Sequence, residues 1–510
     1  MRLKLVTILA VTAVMFLTAP TPAWAIQVTN VAVSAVEPVQ VVLVVKTGVT
    51  SDVTVDYGSS PGIYTATRTS NGLVRHEVTL DGLTPSGLVY YRVTIAETGN
   101  PANTVTLAES SFRAARLPGE AFSYAVGGDN RPDTNTVVQP PAWNAIVGQM
   151  ASEGLDLALN VGDFIYGVYS DPLELAAAKY DGFFAVTSQL TGSVPLYPAV
   201  GNHERIAYAG SRSAFEREFT LPVNNGVDAA TDGEEYYSFD NGDTHFISLC
   251  TELPGQEGLI TGNQKTWLEN DLAATGRTWI VVFMHRPLFS GLHPGDPWTN
   301  PLNTAGQQNK ADIHGLFQQY GVDVVFQGHE HYYLHHQEDG IQYLITGGGG
   351  ASLHAPPPLL AGDIFSVAAF EHVKVDETGN SLQLTTIDQS GQTLEAFTIW
   401  ALDINLVLTN VYWGSYSGYI LRDLSVDYTL ANDDTADISN IQVTGLGASG
   451  GVAPITSTPF PVADLAAGQS TVLTVDYMVS PGITSFSTST YISCQDPNGN
   501  VYELPGSYPG

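Results

Sequence analysis

Short runs in which apolar and polar residues alternate fill residues 26–116: QVVLVVKT, DVTVDYG, HEVTLDGL and VYYRVTIAE, separated by turn-forming clusters. Alternation with period two marks strands that bury one face. Strands of this length and spacing predict a β-sandwich. From 118 to 399 the pattern changes. Apolar strands alternate with helical periodicity, as in ADIHGLFQQYG followed by VDVVFQG, and NQKTWLENDLAATG puts Trp267, Leu268 and Leu272 on one helix face. This is α/β organisation. Residues 400–510 return to β-type alternation in DINLVLTNVYW, LSVDYTLAND and TVLTVDYMVS, which predicts a second β-sandwich.

The 510-residue chain is therefore read as multidomain, an α/β core between two all-β sandwich domains. The expected units are 1–25, 26–117, 118–399 and 400–510. Residues 1–25 combine Arg2 and Lys4, an apolar stretch and the small-residue ending Ala23-Trp24-Ala25. They read as a secretory signal peptide cut after Ala25, so the mature protein is expected to be secreted, periplasmic or at the cell surface. No later segment is long and apolar enough for a transmembrane span.

Charge narrows the partners. The formal net charge is −32, and loss of Arg2 and Lys4 with the leader takes it to −34. Such a surface repels nucleic acid backbones and anionic membranes. An anionic substrate then needs a local positive centre, which a metal cluster would supply. The two cysteines, Cys250 and Cys494, are too few for a disulfide scaffold and are expected to stay unpaired.

Five segments of the middle region share one layout, an apolar strand followed by a polar cluster: FSYAVGGDNR, LDLALNVGDFIY, PLYPAVGNHE, TWIVVFMHRP and VDVVFQGHEH. In α/β folds the loops at the carboxyl ends of strands converge on one crevice. Asp129, Asp163, Tyr166, Asn202, His203, His285, His329 and His331 are thus candidates to meet in space. Any one segment alone reads as a turn, a helix cap or a packed histidine. Together they read as a metal site. Carboxylate, imidazole, amide oxygen and phenolate suit transition ions rather than calcium, and a shared carboxylate can bridge two ions about 3.5–4 Å apart. The glycine run Gly347–Gly350 lacks the Lys-Ser/Thr of a P-loop and reads as a tight turn with close backbone packing. His335 and His336 are left out of the site because on an alternating strand they point to opposite faces, and His76, His245, His314, His354 and His372 have no motif around them and are read as structural.

With these blocks in view, residues 118–399 resemble the calcineurin-like metallophosphoesterases, and most closely the purple acid phosphatase branch. The blocks stand as GDNR (128–131), GDFIY (162–166), GNHE (201–204), VFMH (282–285) and GHEH (328–331). LDGLTPSGLVYYRV resembles the fibronectin type III pattern, and that branch commonly places such a domain before the catalytic one. The resemblance implies a β-sandwich core flanked by helices and two metal ions, Fe with Zn, Mn or Fe. It implies Asp129, Tyr166 and His331 on the first ion, Asn202, His285 and His329 on the second, and Asp163 bridging. His203 is implied as the group that protonates the leaving oxygen, and His293 as a contact to phosphate. Arg131 departs from the histidine many relatives carry there; arginine cannot ligate a metal, and Tyr166, three residues after Asp163, fills the gap.

The expected function is a metal-dependent phosphoric ester hydrolase, a purple acid phosphatase-like enzyme that opens phosphate monoesters by attack of a metal-bound hydroxide. A phosphodiesterase or nucleotidase on the same centre is the alternative, and a non-catalytic surface-binding protein a remote one. A cell-surface or matrix contact is assigned to the C-terminal region.

Overall fold

The computed structural model describes residues 26–510 except 169, 205–213, 227–232, 402–403, 434–435, 484, 497–500 and 510. The leader reading of 1–25 lies outside the described residues.

Six N-terminal strands form one connected ladder. Its longest member, Gln40–Gly58, pairs with Ala66–Asp81 and shifts register between Lys46 and Asp52. Val41, Leu43 and Val45 before the shift and Val53, Val55 and Tyr57 after it bury into one core. The bend folds an otherwise flat ladder over its own apolar face. These strands dock on the central region. The Val36 N–H donates to Tyr197 Oη (3.0 Å), the Tyr91 hydroxyl donates to Gly192 O (2.6 Å), and Lys46 pairs with Asp181 and Glu218.

The central region holds two sheets. One runs in the order Thr393–Trp400, Ser381–Asp388, Glu371–Glu377, Phe122–Gly127, Leu157–Asn160, Leu196–Pro198. The other runs Tyr237–Asn241, Thr244–Leu249, Trp279–Met284, Val324–Gln327, Ile341–Thr346, Tyr333–Glu338, Asp363–Val367. Tyr124 and Val126 of the first share a core with Phe246, Phe283 and Phe326 of the second, so the sheets pack face to face. Alternation sends Ile247, Val282 and Met284 to the opposite face, where helices Gly262–Ala274 and Thr304–Tyr320 cover them. Both faces are thus buried, which is why these strands read as continuous apolar runs. In the expected helix 263–276, Leu268 and Leu272 are buried and Trp267 is only partly so.

The site-forming strands are parallel: Phe122–Gly127 with Leu157–Asn160 and Leu196–Pro198, and Thr244–Leu249 with Trp279–Met284 and Val324–Gln327. Their carboxyl ends therefore lie on one side of the sandwich. Beyond Trp400, two four-stranded sheets enclose a core of Val426, Tyr428, Val475, Ile441, Val443 and Ile492. Among the described residues, Cys250 and Cys494 are both buried and form no disulfide.

Candidate metal centre

All five polar clusters follow their strands and meet. The loops hold one another through backbone bonds. Asp129 N–H donates to Gly162 O (2.9 Å) and Arg131 N–H to Asp163 O (3.0 Å). Side-chain carboxylates join in: Asp129 Oδ2 accepts from His329 N–H (2.8 Å), and Asp163 Oδ1 from His203 N–H (2.9 Å). Asp129, Asp163 and His329 have φ of 53°, 56° and 69°. Left-handed backbone costs about 1–3 kcal/mol per residue and persists where the surroundings over-determine it. Three such residues in one crevice mark a built site rather than a chance cluster.

The glycines of the blocks permit this approach. A Cβ on Gly328 would meet Asp129 Oδ2 at 2.4 Å, and one on Gly201 would meet Asp163 N at 2.4 Å. The run Gly347–Gly350 packs as expected: Gly349 N–H donates to Gly128 O (2.8 Å) and Ala351 N–H to Asp129 O (2.9 Å).

Each histidine of the constellation has one nitrogen committed outside the crevice. His285 Nδ1–H donates to Val161 O (3.0 Å), and His331 Nδ1–H to Ser352 O (2.9 Å). His329 Nε2 lies 3.1 Å from Asp296 Oδ2, and Asp296 is itself held by Arg286, which pairs with Glu252. The other nitrogens face inward as lone pairs, the arrangement that orients metal-binding imidazoles. His285 Nε2 lies 2.9 Å from Asn202 Oδ1, 3.2 Å from His329 Nδ1 and 3.4 Å from Asp163 Oδ1. His331 Nε2 lies 3.5 Å from Asp129 Oδ1. Burial pulls the His285 imidazole down to about 3, so its inward nitrogen carries no proton near neutrality.

Acceptors thus point at acceptors. Asp129 Oδ1 is buried with no hydrogen-bond partner. Burial and the neighbouring Asp163 push the Asp129 carboxyl well above its ordinary range. A convergence of lone pairs that protons do not satisfy calls for cations. One atom each of Asp129, Asp163 and His285 lies within 4.8 Å of the others, close enough to share an ion. Asn202 and His329 extend the set on the His285 side, and His331 on the Asp129 side.

Around this set stand the remaining candidates. Arg131 is largely buried; its Nε lies 3.2 Å from Asp163 Oδ2 and its guanidinium 5.3 Å from the Tyr166 ring centre. Arg131 therefore serves as a fixed positive charge beside the expected bridging carboxylate. The Tyr166 ring is 4.7 Å from that of His203. His203 donates from Nδ1 to Gly167 O (3.0 Å), leaving Nε2 3.9 Å from Asp163 Oδ2. His293 Nδ1 lies 2.8 Å from the buried Glu330, whose hydrogen bond raises the imidazole above its ordinary value.

Two contributors escaped the sequence reading. Glu204 accepts four backbone N–H bonds, from Asp163 (2.7 Å), Phe164 (3.0 Å), Ile165 (3.2 Å) and Gly201 (2.8 Å), and so shapes the Asp163 turn. Its only signal was its place directly after GNH. His354, assigned no role from sequence, stacks on His331 with ring centres 4.2 Å apart. No motif surrounds it. His335 and His336, left out of the site, pair instead with Glu395 and Asp363.

Comparison with known proteins supports the same identification. Residues 132–333 match the calcineurin-like phosphoesterase family, a match that begins just after the GDNR block. The chain is 28% identical to purple acid phosphatase 15 of Arabidopsis thaliana over 315 residues, 55% of this chain and 54% of that one. It is 26% identical to the Homo sapiens acid phosphatase type 7 over 318 residues, 54% of this chain and 68% of that one. The chain thus spans about half the length of the first of these curated relatives. In fold it is similar to a purple acid phosphatase from yellow lupin (Lupinus luteus) seeds, with a TM-score of 0.59 and 20% identity over 74% of each chain. It is also similar to PhoD, with a TM-score of 0.53 and 14% identity over 73% of this chain and 92% of that one. Residues 132–333 therefore carry a calcineurin-like phosphoesterase domain, and purple acid phosphatases are among the proteins to which the chain is similar in sequence.

Proposed function

We propose that this chain is an exported phosphatase that hydrolyses phosphate monoesters at a dinuclear metal centre. The reading rests on the approach of Asp129, Asn202, His285, His329 and His331 to one another and to Asp163, with Asp129 Oδ1 buried and unpaired and the imidazoles oriented from behind. Asp129, Tyr166 and His331 would hold one ion and Asn202, His285 and His329 the other, with Asp163 between them. Iron paired with zinc, manganese or iron suits this mixed oxygen and nitrogen set. When bound, the ions supply Lewis-acid charge and an acidified water.

The chain's own residues do the rest. Asp163 and Asp129 fix the inward faces of their loops. Arg131 adds positive charge where a phosphate must enter a chain of net charge −32. His203, anchored through Nδ1, presents Nε2 to carry a proton to the leaving oxygen. His293, held by Glu330, is the cationic contact for a phosphoryl oxygen. No side chain is required as a covalent nucleophile. The N-terminal strands are read as a fibronectin type III-like module and the leader as the export signal.

The test is a panel of chromogenic mono- and diesters with protein reconstituted in Fe, Zn and Mn. Monoester turnover at least about tenfold above diester turnover is expected, a difference of about 1.4 kcal/mol in barrier. Diester preference would move the reading to a phosphodiesterase. No turnover with full metal content would reject catalysis.

A further inference from the structure

We propose that His354 contacts the substrate, donating its Nε2–H to an oxygen of the phosphoryl group. The inference rests on the phosphatase reading above and assigns one more group to that site. The tautomer follows from the backbone. His354 Nδ1 faces the His331 N–H at 3.1 Å, and an amide N–H can only donate, so Nδ1 accepts and the neutral ring carries its proton on Nε2. The ring is also fixed in place. It stacks on His331 with ring planes 13° apart, and the His354 N–H donates to His331 O at 2.8 Å. Ala355 and then three prolines, Pro356 to Pro358, come next and stiffen the chain.

Its position suits an incoming anion. The ring centre lies 5.7 Å from that of His293, and the positive charge of Arg131 also reaches His354, set against the negative charge of Glu330. Unlike the buried His285 and His331, His354 is part-exposed. Its Nε2 has no hydrogen-bond partner among the described residues. A fixed N–H donor, free of protein acceptors and stacked on a candidate ligand, is suited to a tetrahedral oxyanion.

The rival role is mechanical, with His354 merely propping His331. Two variants separate them. His354→Phe keeps an aromatic ring for stacking and lacks the donor; His354→Gln keeps an N–H donor. Metal content, calorimetric binding of inorganic phosphate, and KM and kcat for a chromogenic monoester would be measured on each full-length protein. The donor role predicts full metal content in both. In the Phe variant phosphate affinity falls about tenfold and KM rises in parallel, while kcat changes less. The Gln variant recovers most of the affinity. Wild-type phosphate affinity in a metal-replete Phe variant would overturn the inference and leave the phosphatase reading standing. Metal loss in both variants would overturn it in favour of the prop. A metal-replete wild-type protein that neither binds phosphate nor turns over monoester would instead reject the parent reading.

Discussion

At the scale of single residues the centre is a problem of unmatched acceptors. Asn202 Oδ1, His329 Nδ1 and Asp163 Oδ1 crowd at 2.9, 3.2 and 3.4 Å around His285 Nε2. Removing one of them should relieve repulsion in the metal-free protein and cripple the loaded one. Asp163→Asn and Asn202→Ala are expected to fold, to lose at least half of the bound metal and to lower kcat/KM by about a thousandfold or more, about 4 kcal/mol. Elemental analysis beside kinetics checks this; near-normal turnover with metal content unchanged would remove either residue from the ligand set. Tyr166 has its own signature. A phenolate on ferric iron absorbs visible light by charge transfer, so iron-loaded protein should be violet to pink and Tyr166→Phe colourless. A band that survives the substitution would take Tyr166 off the metal without touching the phosphoesterase assignment.

The elements explain how far the site was legible. A strand that ends in a polar cluster is a local signal, so Asp129, Asp163, Asn202, His285, His329 and His331 were readable as candidates from their own neighbourhoods. Their supports were not. Asp296 reaches His329 from 33 positions away and His354 reaches His331 from 23, and nothing local marks such pairs. The glycines belong to the readable part. Gly328→Ala would drive a Cβ to 2.4 Å from Asp129 Oδ2 and 2.9 Å from Val161. It is expected to cost about 1–3 kcal/mol in denaturant unfolding and to lower metal occupancy, whereas unchanged values of both would mean that the loops can separate freely. Away from the site, His245 ties strand Thr244–Leu249 to its neighbours. Burial alone would lower its imidazole, but Asp240 at 2.7 Å and Asp271 at 2.9 Å push it up to about 9. A folded value above the unfolded one gives stability that is complete below the unfolded pKa near 6.5 and fades as pH rises through about 9. His245→Gln should therefore be less stable than wild type by about 1–3 kcal/mol at pH 6, with the gap closing toward pH 10. A gap that stays constant would show that packing, not charge, sets the effect.

For the whole molecule, the flanking β regions differ in their attachment. The N-terminal strands bond directly to the central region through Val36, Tyr91 and Lys46. The C-terminal sheets close over a core of their own. A chain ending near residue 400 is therefore expected to keep activity on small substrates within about twofold, under half a kcal/mol in barrier. A folded but inactive truncation would show that the C-terminal region completes the site. Deletion of 26–116 should lower thermal stability, since it unpairs Asp181 and Glu218 and exposes Tyr197. Charge acts at this scale too. In a chain of −32 the centre is the place for a phosphate only when cations fill it. The most direct test is therefore turnover of a chromogenic phosphate monoester by metal-stripped, reconstituted and Asp163→Asn protein, assayed side by side with metal content. The account predicts no turnover when stripped, full turnover with two ions per chain restored, and turnover at least about a thousandfold lower in the variant. Equal turnover in the stripped and reconstituted proteins would contradict it.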